Sequence, residues 1–499
     1  MVKTLRYLPN GEQMKSADSY TIHTLGVPSL VLMERAALAV VQNMKERKTD
    51  ISKPLIVCGS GNNGGDGFAI ARLIQEEGWM PEVLFAGRES SLSEECAVQK
   101  KIVENMGIPV VTEIPKKEYT VIIDAVFGVG LSREISGRYA EIIRWMNEQN
   151  CAKTAVDIPS GICSETGRVL GIAFRADLTV SMACVKIGCE LYPGKEYAGE
   201  TVAAPIGIST DIFKEDPSVC MTYDREDLPV LLPRRKANSH KGSYGKVLMI
   251  TGSSGMAGAA YLSARAAYAV GAGLVQIYTS ENNRTVLQEL LPEAIISCYQ
   301  EYEEERLDKL LAWADVVCIG CGLGQSRLSE QLLIHTLEKA NVPCVIDADG
   351  LNLLAGHMDL LGRADAPVIL TPHMLEMSRL TKESVPAIQE RRMEIVRKFT
   401  EEYPVICALK DSRTVVAAKG RQPFLNLAGN SAMAKAGSGD VLAGTITGLA
   451  AQGSAPFKSA CTGVLLHACG GDDGRDRKGA YSLQARDLIG GIEHCLAGI

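Results

Sequence analysis

Short apolar runs recur along this chain at intervals that suit a layered α/β protein. Residues 54–58, 82–85, 121–124, 154–157 and 178–182 are mostly aliphatic and are bounded by stretches carrying glycine or charge. Runs of that length predict strands buried on both faces. Between them, residues 68–77 and 139–149 carry apolar positions at helical spacing. Residues 10–45 also predict helix, with Met14, Ala17, Ile22, Leu30, Leu32, Met33, Ala36, Ala37 and Val40 apolar and a break at Gly26-Val-Pro28. Strand–helix alternation predicts a mostly parallel sheet covered on both faces, whose ligands bind beyond the carboxyl ends of its strands.

The pattern weakens over 210–223, where Asp, Lys, Glu, Pro and Ser gather, and a domain boundary is expected there. A second alternating series starts at Lys246. Strands are predicted over 247–250, 274–278, 316–320, 345–346, 368–370, 406–409 and 415–418. A small-residue helix runs to Val270, and another opens at Asp440 and ends near Gly453. Two α/β domains result, 1–214 and 224–499. At 499 residues the chain is too long for one core.

Composition narrows the function. A net charge of -7 argues against a nucleic-acid surface but permits a local basic pocket. The 15 cysteines are scattered and odd in number, which suits reduced, buried thiols and a cytoplasmic location. Cys318 and Cys321 form a single C-x-x-C with no second pair, so neither zinc nor redox chemistry is indicated. No apolar run is long enough to span a bilayer, and the N-terminus has no signal-peptide core.

The candidate chemistry sits where predicted strands end. Cys58-Gly-Ser-Gly-Asn-Asn-Gly-Gly-Asp-Gly67 is a glycine-rich turn that fits neither the dinucleotide fingerprint nor the Walker loop, yet suits a phosphate. Asp124 and Asp157 close predicted strands. Asn63, Asp124 and Ser160 offer only hard oxygen ligands, which suits an alkali or alkaline-earth cation. Each loop is also readable as a tight turn with Asp as turn former. In the second domain His373 lies on a polar loop and is read as a ligand contact. In Ala434-Lys-Ala-Gly-Ser-Gly-Asp-Val-Leu-Ala-Gly444, glycines precede a helix whose first amides favour an anion. Asp440 there makes sense as a base beside a reacting hydroxyl. Its competing reading is a plain helix N-cap.

With these residues in view, nearly the whole chain resembles the bifunctional NAD(P)H-hydrate repair enzymes. Gly61-Asn-Asn-Gly-Gly-Asp-Gly-Phe68, Asp124-Ala-Val-Phe-Gly128 and Val156-Asp-Ile-Pro-Ser-Gly161 look like the epimerase domain. The stretch 246–260, Cys321-Gly-Leu-Gly324, Asp347-Ala-Asp349, Leu370-Thr-Pro-His373 and Lys435 to Gly444 look like the ADP-dependent dehydratase. The resemblance implies a Rossmann-like N-terminal and a ribokinase-like C-terminal three-layer domain. It implies interconversion of the R and S hydrates of NADH or NADPH, and dehydration of the S form with ADP, giving AMP and phosphate. It assigns hydrate binding to Asn62, Asn63, Gly64, Gly65, Asp66, Gly128, Val129, Gly130, Leu131, Ser132, Arg133, Glu134 and Asp157, with Asp157 the candidate acid/base. Asn63, Asp124 and Ser160 would hold potassium. In the dehydratase, Ala259, Ala260, Gly322, His373 and Asp440 would meet the hydrate. Lys410, Asp411, Ser412, Arg413, Thr414 and Gly439 would meet ADP, carried with Mg2+, and Asp440 would be the base. A homo-oligomer without membrane or nucleic-acid partners is expected. Three positions depart from the family pattern: Cys321 for proline, Met374-Leu375 for Pro-Gly, and Asp411 for glycine. The competing functions are a ribokinase-like small-molecule kinase and an N-terminal half that binds nucleotide without chemistry.

Overall fold

A computed structural model describes residues 6–499. They divide into two units, Arg6–Cys220 and Met221–Ile499.

The first unit is built on a seven-stranded sheet. Its order is Val110–Val111, Glu82–Phe85, Pro54–Cys58, Val121–Ala125, Ala152–Val156, Leu178–Met182, Glu200–Ala204. Every neighbouring pair is parallel. The chain starts the sheet at Pro54–Cys58, builds outward to Val110–Val111, then returns to the other side with Val121–Ala125. That reversal opens a crevice at the carboxyl ends of the two central strands. Ser29–Glu46 and Asn62–Glu76 cover the sheet. The first buries Leu32, Met33, Ala36, Ala37 and Val40, and the second buries Phe68, Ile70 and Ile74.

Two local expectations are corrected. The helix expected over 68–77 runs over Asn62–Glu76, so the glycine-rich stretch forms its opening turns rather than a loop. Packing decides this against the low helix propensity of glycine. A Cβ on Gly64 would lie 2.0 Å from the Gly59 carbonyl oxygen, and one on Gly65 would lie 2.5 Å from Met33 Cε. The N-terminal helical stretch is also split. Gly11–Ser19 passes into a π-helical turn, Tyr20–Thr24, and helix resumes at Ser29 directly after Pro28.

In the second unit the strands follow the order Phe424–Leu425, Val415–Ala418, Val405–Leu409, Val368–Leu370, Cys344–Ile346, Val316–Ile319, Lys246–Ile250, Leu274–Ser280, Ile295–Tyr299. From Val405–Leu409 to Ile295–Tyr299 all pairs are parallel. Val415–Ala418 returns antiparallel to Val405–Leu409, so residues 410–414 turn a hairpin. Helix Ser438–Ala451 is buried almost throughout and packs on Ala257–Ala269. The alanines and glycines of both helices permit that approach. A Cβ on Gly444 would lie 2.0 Å from the Ser263 carbonyl oxygen. Helix propensity alone would favour Gly444→Ala by about 1 kcal/mol. Overpacking against backbone that cannot rotate away costs about 1–3 kcal/mol or more, and wins. Gly444→Ala is therefore expected to lower the urea midpoint of the second unit, read by chemical denaturation. An unchanged or higher midpoint would refute the packing argument.

Among the described residues, no helix is long and apolar enough to cross a membrane. All fifteen cysteines are free thiols.

Candidate functional sites

In the first unit a cavity of about 530 Å³ opens at the crevice. Asn62, Asn63, Asp66, residues 128–133 and Asp157 line it, together with Asp18 and Lys186. Gly64 and Gly65 are buried behind this wall, and Glu134 lies outside it.

Asp124 is the penultimate residue of the strand Val121–Ala125 and is fully buried. Its carboxylate accepts from the Ser160 amide at 2.8 Å, the Ser160 hydroxyl at 2.7 Å and the Val126 amide at 3.2 Å. These partners are neutral, and burial pushes the carboxyl up to about 6 despite them. Ser160 Oγ also accepts from the Phe127 amide at 2.9 Å, which ties Ser160 to the 128–133 loop. Asn63 sits under the same loop, where a Cβ on Gly128 would lie 3.4 Å from its Cγ. Its Nδ2 is buried with no hydrogen-bond partner.

Asp157 follows the strand Ala152–Val156 at φ 69°, in the left-handed region that a non-glycine residue seldom occupies. Its Oδ1 accepts from the Met182 amide at 3.0 Å and from the ammonium of Lys186. Lys186 is 1% exposed and also donates to the Met182 carbonyl oxygen at 3.0 Å. Two further carboxyls face this pair. Asp66 is pushed well above its ordinary value by burial, then by the charges of Asp157 and Asp18, with Lys186 opposing. Asp18 is raised by burial and then by Asp157. The cavity thus gathers Asp157, Asp66 and Asp18 about the buried Lys186 ammonium, a cluster suited to proton transfer. Lys186 and Asp18 were not foreseen from the sequence. The available signal was a single lysine inside the apolar stretch after Leu178–Met182.

The second site gathers at the carboxyl ends of four adjacent strands. Asp347 follows Cys344–Ile346 and is 1% exposed. Its Oδ1 accepts from Lys410 Nζ at 2.5 Å and from Thr371 Oγ1 at 2.8 Å. Lys410 Nζ also lies 3.9 Å from Glu376. Burial pulls the lysine down, but Asp347 and Glu376 outweigh it and hold the ammonium above its ordinary value. Gly437, at φ 90°, turns the chain into helix Ser438–Ala451 and brings Gly439 over this pair. A Cβ on Gly439 would lie 3.4 Å from Lys410 Nζ and 3.5 Å from Asp347 Oδ2. Of the turn's amides, Ser438 N–H already donates to the Lys435 carbonyl oxygen at 3.3 Å. Gly439 and Asp440 present first-turn amides, which have no acceptor within the helix. Burial, then the charge of Asp347, pushes the Asp440 carboxyl up to about 6.

The remaining expected contacts are placed unequally. Gly322 and Ala259 face each other, since a Cβ on Gly322 would meet the Ala259 Cβ at 2.8 Å; Ala260 is buried in the core. His373 caps helix Met374–Thr381. Its Nδ1 accepts from the Glu376 amide at 3.1 Å, and its own amide donates to the Glu376 carboxylate at 2.8 Å. Burial and the charge of Lys410 lower the imidazole, and burial lifts Glu376 to about 7. Asp411 is not an uncompensated charge, because Arg392 pairs with it at 2.8 Å. Ser412 is exposed, Arg413 donates to the Leu427 carbonyl oxygen at 2.7 Å, and Thr414 donates to the Asp411 carbonyl oxygen at 3.2 Å.

A carboxylate and free amides at a glycine turn, set beside a buried lysine–aspartate pair on a parallel sheet, define a ribokinase-like protein in the second unit. A solved ribokinase-like superfamily protein from Enterococcus faecalis V583 superposes on it with a TM-score of 0.50 and 26% identity, covering 56% of this chain and 96% of that one. The family profile described as NAD(P)H-hydrate dehydratase matches residues 247–493, and that of the YjeF-related protein N-terminus matches 29–188. The bifunctional NAD(P)H-hydrate repair enzyme Nnr of Moorella thermoacetica is 34% identical, over 99% of this chain and 97% of its own length. That of Coxiella burnetii is 35% identical, over 97% and 98%. The chain belongs to the bifunctional NAD(P)H-hydrate repair enzymes, which join an epimerase to a dehydratase.

Proposed function

We propose that residues 224–499 dehydrate the S hydrate with ADP, that residues 1–214 supply S from R, and that the two sites above carry these reactions. The observation that carries the reading is Asp440, a raised carboxyl beside free helix-turn amides and the Lys410–Asp347 pair. In this reading Asp440 takes the proton of the C6 hydroxyl as its oxygen attacks the β-phosphorus of ADP. AMP leaves, and the Gly439 and Asp440 amides hold the phosphoryl oxygens. Hydroxide is a poor leaving group and phosphate a good one. Expulsion of phosphate by the ring N1 electron pair and loss of the C5 proton then restore the nicotinamide double bond. ADP enters as its magnesium complex over the 410–414 hairpin, where Arg392 offsets Asp411.

In the epimerase, C6 is a hemiaminal carbon. Removal of the hydroxyl proton by Asp157, with proton delivery to N1, opens the C6–N1 bond, and closure on the other face inverts C6. The donor set fits a potassium ion: a buried carboxylate with only neutral partners, a serine hydroxyl and an amide with an orphaned end. Asp124, Ser160 and Asn63 would hold it, and it would supply the positive charge that Asp124 lacks. Fifteen thiols suit the reducing cytoplasm, where the reduced cofactors are found.

The test is recovery of reduced-nicotinamide absorbance from a mixed R/S hydrate of NADH by the whole protein. Full recovery is expected with ADP and potassium. Without nucleotide there is none, and with tetramethylammonium replacing potassium the R fraction lags. A phosphorylated product that keeps its water would overturn the dehydratase reading in favour of a kinase.

A further inference from the structure

The dehydratase site contains a feature that the reaction above does not use. The thiol of Cys321 sits at the bottom of it. Its Sγ lies 3.9 Å from Asp347 Oδ2. That sulfur, one oxygen of Asp347 and one of Asp440 lie within 4.8 Å of one another. Cys318, three residues earlier in the C-x-x-C and on the strand Val316–Ile319, hydrogen-bonds the same thiol. The second cysteine pair that a structural zinc site would need is absent from the sequence, but two carboxylates stand in its place.

We propose that Cys321, Asp347 and Asp440 form a binding site for a thiophilic divalent cation such as zinc, and that its occupancy switches the dehydratase off.

Three points of chemistry support the site. First, the donor set is one sulfur and two oxygens, which suits zinc, cobalt or cadmium; magnesium takes oxygen ligands and gains nothing from a thiol. Second, the ligands are held in advance. Asp347 is fixed by Lys410 and Thr371 through its other oxygen, leaving Oδ2 turned to Cys321. Third, the charges balance. Binding releases the Cys321 proton to solvent, and the three anionic ligands with the Lys410 ammonium leave the bound dication near neutrality. Cys321 and Asp347 are buried, whereas Asp440 is half-buried, so the ion enters past Asp440. Three protein ligands leave a fourth position open to water or to a phosphate oxygen. Inhibition follows because a carboxylate bound to zinc no longer accepts a proton. That half of the proposal rests on Asp440 being the base, whereas binding does not.

The test is a cadmium titration of the whole protein, kept reduced with a phosphine, followed by the sulfur-to-metal charge-transfer band in the near ultraviolet. With fifteen cysteines in the chain, the signal that matters is wild type minus Cys321→Ser, with Cys321→Ala as a second variant. Wild type should take up one equivalent more than either variant, and Asp440→Asn should weaken that equivalent by at least about tenfold. Zinc should displace it, and a large excess of magnesium should not. Equal uptake by wild type and variants would overturn the site. Zinc should then inhibit wild-type dehydration reversibly to a chelator, and Cys321→Ser should need at least about tenfold more. Specific binding without inhibition would support the site and overturn Asp440 as the base. Equal inhibition of wild type and Cys321→Ser would overturn the switch.

Discussion

Asp440→Asn should lose dehydration by about 10²–10⁴-fold, the range for removing a general base. The loss should appear in kcat with little change in KM for ADP, because the first-turn amides and Lys410 remain in place. Unfolding is not the expected cause. The raised carboxyl shows that burial beside Asp347 already penalises the charge, and a neutral amide of equal shape removes that cost. The variant should therefore melt no lower than wild type by calorimetry. The sign of the pH dependence follows from the same residue. The base works only when ionised, and its carboxyl sits at about 6. Dehydration should be flat above that pH and fall as pH drops through it, and the fall should be absent from the residual activity of the variant. A variant that keeps wild-type turnover would return Asp440 to the N-cap reading. One that loses ADP binding in proportion would make it a nucleotide contact instead.

The parts of this architecture that are legible in the sequence share one physical cause. A strand buried on both faces is apolar at nearly every position, so runs such as Pro54–Cys58 and Val316–Ile319 stand out without a partner being known. A carboxylate closing such a run has to be explained, which is why Asp124 and Asp157 are visible as chemistry, whereas Asp347 is legible only as part of a motif, with no role of its own. What stays hidden depends on residues far apart in the chain. The helix at Asn62 reads as a loop because five of its first six residues are glycine or asparagine, and only the closeness of Gly59 and Met33 shows why glycine is there. Lys186 reaches Asp157 because Ala152–Val156 and Leu178–Met182 pair in parallel with Val156 against Val180. No local pattern reveals that register. Asp411 looks like a repulsive intrusion until Arg392, from the preceding helix, is seen to pair with it. His373 is the opposite case. Its capping partner Glu376 lies three residues on, a readable capping-box spacing, but histidine is not the usual N-cap.

In the first unit, Asp157→Asn should slow epimerisation by about 10²–10⁴-fold while leaving dehydration of pure S hydrate untouched. With a mixed hydrate and ADP, recovery would then stop at the S fraction. Lys186→Met tests a different link, because Lys186 positions and neutralises rather than reacts. It removes the buried ammonium that pairs with Asp157 and acts on Asp66. Breaking a buried pair costs about 3–5 kcal/mol when the stranded charge stays ionised. A carboxyl in that position takes up a proton instead. Removing a cation raises neighbouring carboxyls, and the charge of Lys186 opposes the rise of Asp66. The cluster should therefore keep its protons to higher pH, and the acid limb of the epimerase profile should move upward. Activity lost at neutral pH should return in part at alkaline pH, whereas Asp157→Asn should not recover at any pH. Full-rate epimerisation by Asp157→Asn would remove Asp157 as the acid/base and leave Asp66, raised by burial in the same wall, to take that role. A Lys186→Met profile that falls evenly at every pH would mean that Lys186 only holds the fold.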